Sequence, residues 1–157
     1  MKTSKRRRLE GKTDYKTRLA LLVSNKPRLV VRKTNQYIIA QIIEAVDAQD
    51  KVICGLTSKK LLDKGWPENL KGHLKNLAAC YLTGLTLGKA AKGKIKEAIL
   101  DIGMNRNIPK SRVYAVLKGI IDSGIKIPHD SSSLPSNEML EKNEKTRMLF
   151  KKLKEQI

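Results

Sequence analysis

The residues with the clearest chemistry are basic side chains crowded into the first quarter of the chain. Residues 1–35 contain 12 Lys and Arg against two acids, a net charge of +10, whereas residues 36–157 contain 21 against 13, a net charge of +8. Lys5-Arg6-Arg7-Arg8 is an uninterrupted basic run, and a guanidinium group binds phosphate oxygens two at a time. This concentration of charge predicts a surface that binds a polyanion, with nucleic acid favoured over an anionic membrane.

The residue types that usually perform catalysis or hold metals are few and scattered. His73 is expected on the surface of a helix, and His129 lies in a loop, where it would contact RNA or cap a turn. Cys54 and Cys80 have no second ligand at metal-binding spacing, and their apolar surroundings are typical of reduced, buried thiols. No nucleotide-binding loop sequence is present. We therefore predict no catalytic residue, no metal site and no cofactor.

Three aspartates carry the one enzymatic alternative, a metal-dependent nuclease. Asp47, Asp50 and Asp101 do not form a recognisable metal cluster in the sequence. Asp101 lies on a predicted buried strand, where a nuclease could use it as a metal ligand. A structural hydrogen bond is the favoured role for this side chain. A metal-dependent nuclease, or another RNA-processing protein on a similar fold, remains the second hypothesis.

Length and composition limit the remaining classes of protein. The chain has 157 residues and a net charge of +18, and 40% of its residues are hydrophobic, which suits one domain with a core. No apolar run approaches the roughly 20 residues of a membrane span, and no secretory signal is expected at the basic start. A single Trp and a single Phe argue against a helix that lies on a membrane surface. We expect an intracellular protein.

The elements that must position the basic residues follow an α/β order. Asp14 is expected to cap the first helix and Ser111 a later one, whose apolar face carries Val113, Val116 and Ile120. The predicted helices cover 14–24, 66–88, 111–124 and 138–157, with a short helix or turn at 58–64, and the predicted strands cover 28–33, 37–43, 50–57 and 95–103. The expected fold is α/β, a mixed β-sheet covered by helices.

The chain divides into three predicted segments. Residues 1–13 form a basic N-terminal arm without helical periodicity, expected to be disordered until bound. Residues 14–130 form the α/β domain. Residues 131–157 form a linker and a C-terminal helical tail, whose apolar stripe carries Leu149, Leu153 and Ile157.

An ordered series of sequence blocks resembles the family of large-subunit ribosomal proteins that bind 5S ribosomal RNA (5S rRNA), in its archaeal and eukaryotic form. The most extensive blocks read DYKTRL at 14–19 and KPRLVVRKTNQYIIAQ at 26–41. Further blocks lie at 65–66, 78–85, 97–103, 111–119 and 127–129. The resemblance covers roughly residues 12–137, whereas the charged stretch after Ser136 departs from the family's usual ending. Without the long C-terminal extension of the eukaryotic form, the sequence favours the archaeal type.

The resemblance implies a structural role in translation. It implies a constituent of the large ribosomal subunit that binds 5S rRNA and helps to attach it to the central protuberance, in cytoplasmic ribosomes. Large-subunit rRNA and neighbouring ribosomal proteins are the further expected partners. The implied fold is a ribonuclease-H-like arrangement without the catalytic carboxylates, with the N-terminal arm and the first hairpin laid on the RNA.

The predicted RNA-binding residues lie mainly on that arm and hairpin. Tyr15 and Tyr37 would either stack on an exposed base or sugar or pack against the sheet. The full predicted set is Arg6, Arg7, Arg8, Lys12, Tyr15, Arg18, Lys26, Arg28, Arg32, Lys33, Thr34, Asn35, Tyr37 and Arg112.

Two arginines of the first strand carry the most specific expectation. Arg28 and Arg32 point to one face of the strand. If Leu29 and Val31, on the opposite face, pack against helices, the arginine face is left for an anion. The structural alternative is that both arginines pair with acids elsewhere in the protein.

Overall fold

A mixed four-stranded sheet forms the centre of the fold in the computed structural model, which describes residues 3–46 and 49–157. Strands β1 (Arg28–Lys33), β2 (Ile38–Val46), β3 (Gln49–Thr57) and β4 (Ile99–Asp101) lie in the order β3-β2-β1-β4. β2 pairs antiparallel with both β1 and β3, and β4 pairs parallel with β1. The predicted α/β class and mixed sheet are confirmed.

Helices surround the sheet and complete the element order. The α-helices are α1 (Arg6–Leu9), α2 (Tyr15–Val23), α3 (Leu77–Ala91), α4 (Arg112–Asp122), α5 (Asn137–Glu141) and α6 (Glu144–Gln156). Three 3-10 helices cover Ser58–Leu61, Glu68–His73 and Ser131–Ser133. Among the residues that the structure describes, no helix is both long and apolar enough to cross a membrane.

The core lies between one sheet face and the pair α3 and α4. Leu29 and Val31 of β1 are fully buried, and α3 contacts β2 and β3 while α4 contacts β1. The two helices approach closely because glycines lie where they meet. A Cβ atom on Gly84 would overlap the carbonyl oxygen of Val116, and one on Gly119 would overlap that of Tyr81.

Two predicted elements are shorter than expected. The helix expected over 66–88 begins only after Asn76, whose side chain caps it by accepting the Ala79 N–H at 2.7 Å. The preceding segment instead buries Trp66 and Leu74 in the core. The strand expected over 95–103 pairs with β1 over three residues only, because the Ala98 N–H bonds instead to the carbonyl oxygen of Lys126.

The C-terminal segment packs its apolar side chains into the core. Leu140, Phe150 and Leu153 are each 2% exposed. The Phe150 ring meets the Tyr81 ring edge-on, with 5.5 Å between the ring centroids. The segment therefore contributes to the same hydrophobic core as α3.

Candidate nucleic-acid interface

Helix α2 presents its side chains from a well-capped start. The Asp14 carboxylate accepts the backbone N–H groups of Lys16 and Thr17 at 3.0 and 3.3 Å, and the Thr17 hydroxyl at 2.7 Å. These hydrogen bonds hold the pKa of Asp14 below its ordinary value. The cap predicted from the sequence is confirmed.

Arg28 lies at the centre of an ion-pair network rather than on an open face. Its Nη1 donates to Asp101 Oδ2 at 3.1 Å and its Nη2 donates to Asp50 Oδ1 at 2.6 Å. The side chain is 3% exposed. The expectation that Arg28 faces an outside anion is wrong, because two acids that are distant in sequence reach it through the sheet.

The same two aspartates hold an arginine on each side of Arg28. Arg18 Nη2 donates to Asp50 Oδ2 at 2.9 Å, and Arg32 Nη2 donates to Asp101 Oδ1 at 3.0 Å. Arg18 and Arg32 nevertheless keep 40% and 41% of their side-chain surface exposed. The predicted alternative of pairing with acids thus holds for both strand arginines, but Arg32 also reaches the surface.

Asp101 is fully engaged in structural contacts. Besides the two arginines, its carboxylate accepts the Gly103 N–H at 2.8 Å, and its carbonyl oxygen accepts Arg32 Nη1 at 3.0 Å. The predicted structural hydrogen-bond role is confirmed. Within residues 3–46 and 49–157, no group of three His, Cys, Asp or Glu side chains is arranged to hold a metal ion. Asp47 lies outside the described residues.

The N-terminal arm folds against this network and closes a groove. Contrary to expectation, its residues 6–9 form the short helix α1. Arg7 Nε donates to Thr13 Oγ1 at 3.0 Å, and Lys12 Nζ lies 2.7 Å from Glu10 Oε2. The groove is lined by Arg7, Lys12, Thr13, Asp14, Thr17, Arg18, Leu21, Arg32, Asp101 and Gly103. We call it the N-terminal groove.

Arg6 and Arg8 are exposed and adjoin the groove residue Arg7 in sequence. Arg6 forms a surface ion pair with Glu10 at 3.2 Å. Arg8 is exposed on the same short helix. Of the predicted arm residues, Arg7 and Lys12 line the groove, and Arg6 and Arg8 lie on the same arm.

The turn between β1 and β2 uses part of the predicted set for its own folding. Thr34 Oγ1 donates to the Tyr37 carbonyl oxygen at 2.7 Å and accepts the Tyr37 N–H at 3.0 Å. The Asn35 carbonyl oxygen accepts Lys75 Nζ at 2.6 Å. Lys33 and the Asn35 side chain remain on the exposed side of the turn.

Both predicted stacking tyrosines carry a lysine over the ring. Lys5 Nζ lies 4.3 Å from the Tyr15 ring centroid, and Lys59 Nζ lies 4.5 Å from that of Tyr37. These cation–π contacts cover one face of each ring. Both tyrosines are half-buried, so neither is committed to the core.

The remaining predicted residues lie away from the N-terminal groove. Lys26 forms an exposed ion pair with Glu97 at 3.0 Å. Arg112 lies at the start of α4, beside a second group of cations that includes Arg106 and Lys110. Arg106 and Lys110 were not among the predicted residues, although the basic composition of their loop was a signal that could have indicated them.

The cysteines and histidines form no site of their own. Cys80 is fully buried, and burial raises the pKa of its thiol to about 12. Cys54 is half-buried. His73 is partly exposed, and His129 Nδ1 lies 2.7 Å from the carbonyl oxygen of Ile127. The predicted buried thiol is confirmed for Cys80.

Comparison with known proteins identifies the family to which this architecture belongs. A family model of the ribosomal large-subunit proteins 60S L5 and 50S L18 matches residues 1–98 and 89–130. The chain belongs to this ribosomal protein family. It is 51% identical over 136 residues to the large ribosomal subunit protein uL18 of Korarchaeum cryptofilum and 46% identical to that of Methanococcus maripaludis. Each alignment covers 86% of this chain and 68% of the relative.

Membership in the family fixes the general role of the chain. It is a structural component of the large ribosomal subunit, which consists of rRNA and ribosomal proteins, and it is not an enzyme. The nuclease alternative finds no support in these relatives.

Proposed function

We propose that the chain binds 5S rRNA through the N-terminal groove and the adjoining hairpin turn, and helps to attach it to the central protuberance of the large subunit in cytoplasmic ribosomes. Large-subunit rRNA and neighbouring ribosomal proteins are its other contacts. Residues 14–130 act as the RNA-binding domain, residues 1–13 as a basic arm and residues 131–157 as the C-terminal segment.

The observation that carries the proposal is the pair of half-exposed guanidinium groups at the groove. Arg32 uses three of its N–H groups on Val31 and Asp101, and Arg18 uses one on Asp50. Since a guanidinium has five N–H donors, both side chains retain donors that face solvent. The aspartates fix the direction of these donors, so little side-chain entropy is lost when a phosphate binds.

Charge supports the same partner. The groove is lined by Arg7, Lys12, Arg18 and Arg32 against only two carboxylates, those of Asp14 and Asp101. Even with the internal ion pairs counted, the groove therefore keeps an excess of positive charge. An RNA backbone supplies phosphates that attract such a groove from a distance and bind it at contact.

The second proposed element is shape recognition at the hairpin turn. Lys33 and the Asn35 side chain stand on the exposed side of a turn that Thr34 holds rigid. A-form RNA presents its phosphates and 2′-hydroxyls across a wide, shallow minor groove. A rigid polar turn fits that surface without reading the base sequence.

The test is RNA binding by a groove variant and a matched control. Arg18→Gln with Arg32→Gln removes both half-exposed guanidinium groups, whereas Arg147→Gln with Lys152→Gln removes the same charge at the C-terminal segment. We expect the groove variant to lose about 2 kcal/mol or more of affinity for 5S rRNA, at least roughly 30-fold, and the control to lose far less. Fluorescence anisotropy measures both, and transfer RNA serves as the competing RNA.

Two results would overturn the proposal. One is equal affinity of the wild-type chain for 5S rRNA and for transfer RNA. The other is equal loss in the two variants, since this would mean that net charge and not the groove binds the RNA. Thermal melting of each variant shows that the compared proteins are folded.

A further inference from the structure

A second basic surface lies at the start of α4, away from the N-terminal groove. A cleft between the end of β1, the loop after β4 and the start of α4 is lined by Lys33, Arg106, Lys110 and Arg112. Among the residues that the structure describes, no carboxylate lines this cleft. We call it the α4 cleft.

The four cations of the α4 cleft have no acid partner in the described part of the chain, unlike the arginines of the N-terminal groove network. Arg18, Arg28 and Arg32 are all paired with Asp50 or Asp101. By contrast, none of the four cleft cations forms an ion pair within the part of the chain that the structure describes. Four like charges that share one cleft repel one another, and an anion in the cleft would relieve that repulsion.

The alternation of β1 places the two basic surfaces on opposite sides of the sheet. Arg32 lines the N-terminal groove, and the next residue, Lys33, lines the α4 cleft. The loop after β4 borders both surfaces, with Gly103 at the groove and Asn105 at the cleft. Neighbouring residues of a strand point to opposite faces, so one RNA segment in the groove leaves the cleft free.

The side chains of the cleft suit a phosphate backbone. Arg106 and Lys110 are exposed, and Arg112 is half-buried at the first position of α4. The positive end of the α4 dipole adds to the field of these side chains. Arg106 and Arg112 supply planar forks and the two lysines supply point charges, which is the usual combination at phosphates.

We infer that the α4 cleft binds backbone phosphates of ribosomal RNA, as a contact surface separate from the N-terminal groove. This inference rests on the proposed function for the class of partner, since an acidic protein segment is the other anion that the charge would attract. RNA is favoured because the cleft opens beside the hairpin turn proposed to contact RNA, and Lys33 lies both at that turn and in the lining of the cleft.

The experiment compares charge removal in the cleft with equal removal elsewhere. The cleft variant is Arg106→Gln, Lys110→Gln and Arg112→Gln. The control is Lys64→Gln, Lys145→Gln and Lys152→Gln, three exposed lysines without ion pairs in the described residues. The full-length proteins are titrated with two probes, 5S rRNA and the large rRNA of the subunit freed of 5S rRNA, over a series of salt concentrations.

We expect the cleft variant to lose at least about tenfold in affinity for one of the two probes. The slope of log K against log salt should become shallower by about two, since each lost phosphate contact removes roughly 0.7–0.9. The control should change less than about threefold. Arg112→Lys, which keeps the charge but loses the planar fork, should retain part of the binding, which a purely structural role for Arg112 would not predict. If the triple variant does not fold, Lys110→Gln alone carries the test through the salt slope.

Each outcome decides between the proposals. A loss of affinity of the cleft variant for either RNA supports the cleft as an RNA-binding surface and identifies which RNA it contacts. If the wild-type chain binds only the large rRNA, the 5S proposal fails and the cleft is still tested on that RNA. Unchanged binding by the cleft variant to every probe that the wild type binds would overturn the inference and favour an acidic protein partner. Binding of neither probe by the wild type would overturn both proposals.

Discussion

Replacing Arg28 by alanine is the perturbation that best separates a buried structural arginine from an RNA-binding one. Arg28 is 3% exposed and joins Asp50 of β3 to Asp101 of β4. The structure therefore predicts that Arg28→Ala destabilises the fold and leaves RNA affinity unchanged once the protein is folded. Arg32→Ala should do the reverse, because 41% of that side chain is exposed at the groove.

The magnitude follows from the contacts that are lost. Arg28→Ala removes charge-assisted hydrogen bonds of 3.1 and 2.6 Å, each contributing about 1.5–3 kcal/mol. Removing one partner of a buried pair commonly costs about 3–5 kcal/mol. Here Asp101 keeps Arg32 and Asp50 keeps Arg18, and the Nε atom of Arg28 has no partner to lose. The expected loss is therefore about 3 kcal/mol.

Urea unfolding at equal m-value and thermal melting measure this loss. A change of about 3 kcal/mol corresponds to a fall in Tm of about 6–12 °C for a chain of this size, against about 1 kcal/mol or less for Arg32→Ala. Arg28→Lys keeps the charge and one short contact, so its Tm should lie between that of the wild type and that of Arg28→Ala. The reasoning is refuted if Arg28→Ala melts within about 2 °C of the wild type and binds 5S rRNA more weakly than Arg32→Ala does.

Three further predictions concern other parts of the fold. Gly119→Ala should lower the free energy of unfolding in urea by about 3 kcal/mol, because its new methyl group overlaps the Tyr81 carbonyl oxygen of α3. An unchanged free energy would mean that α3 and α4 separate easily. Asp14→Ala should lower Tm at neutral pH, and the difference should vanish as the pH falls through the depressed pKa of the capped carboxylate, since that group stabilises the fold only when ionised. A thiol reagent at mildly alkaline pH should leave Cys80 unmodified in the folded protein and label it in guanidinium, because the thiol is buried and its pKa is raised to about 12; mass spectrometry of the native protein with a labelled Cys80 would contradict its burial.

The local elements were predictable because their signals lie within a few neighbouring residues. The alternation of Leu29 and Val31 with arginines predicted β1, and Asp14 predicted the start of α2. The break before α3 depends instead on Asn76, whose cap competes with continuation of an apolar helical pattern. The burial of Phe150 depends on Tyr81, almost seventy residues earlier. Such contacts leave no periodic signal.

The candidate site shows the same division between local and long-range information. The scarcity of acids in residues 1–35 favoured an open arginine face over ion pairs with acids elsewhere in the protein. The partners of Arg28 are 22 and 73 residues away. Asp101 reaches it because β4 pairs in parallel with β1, which sets Val30 opposite Asp101, and Asp50 reaches it from β3, which pairs with β2 on the other side of β1. The overall charge and the arm were readable from composition, whereas which arginines remain available to RNA depends on the sheet register.

The most direct test of the central claim is a titration of 5S rRNA with the wild-type chain across a salt series. If the groove, the turn and the α4 cleft together neutralise about five to eight phosphates, log K should fall against log salt with a slope of roughly −4 to −7. Transfer RNA should bind more weakly at every salt concentration. A slope near zero, or equal affinity for the two RNAs, would contradict the account of this chain as a specific 5S rRNA-binding protein.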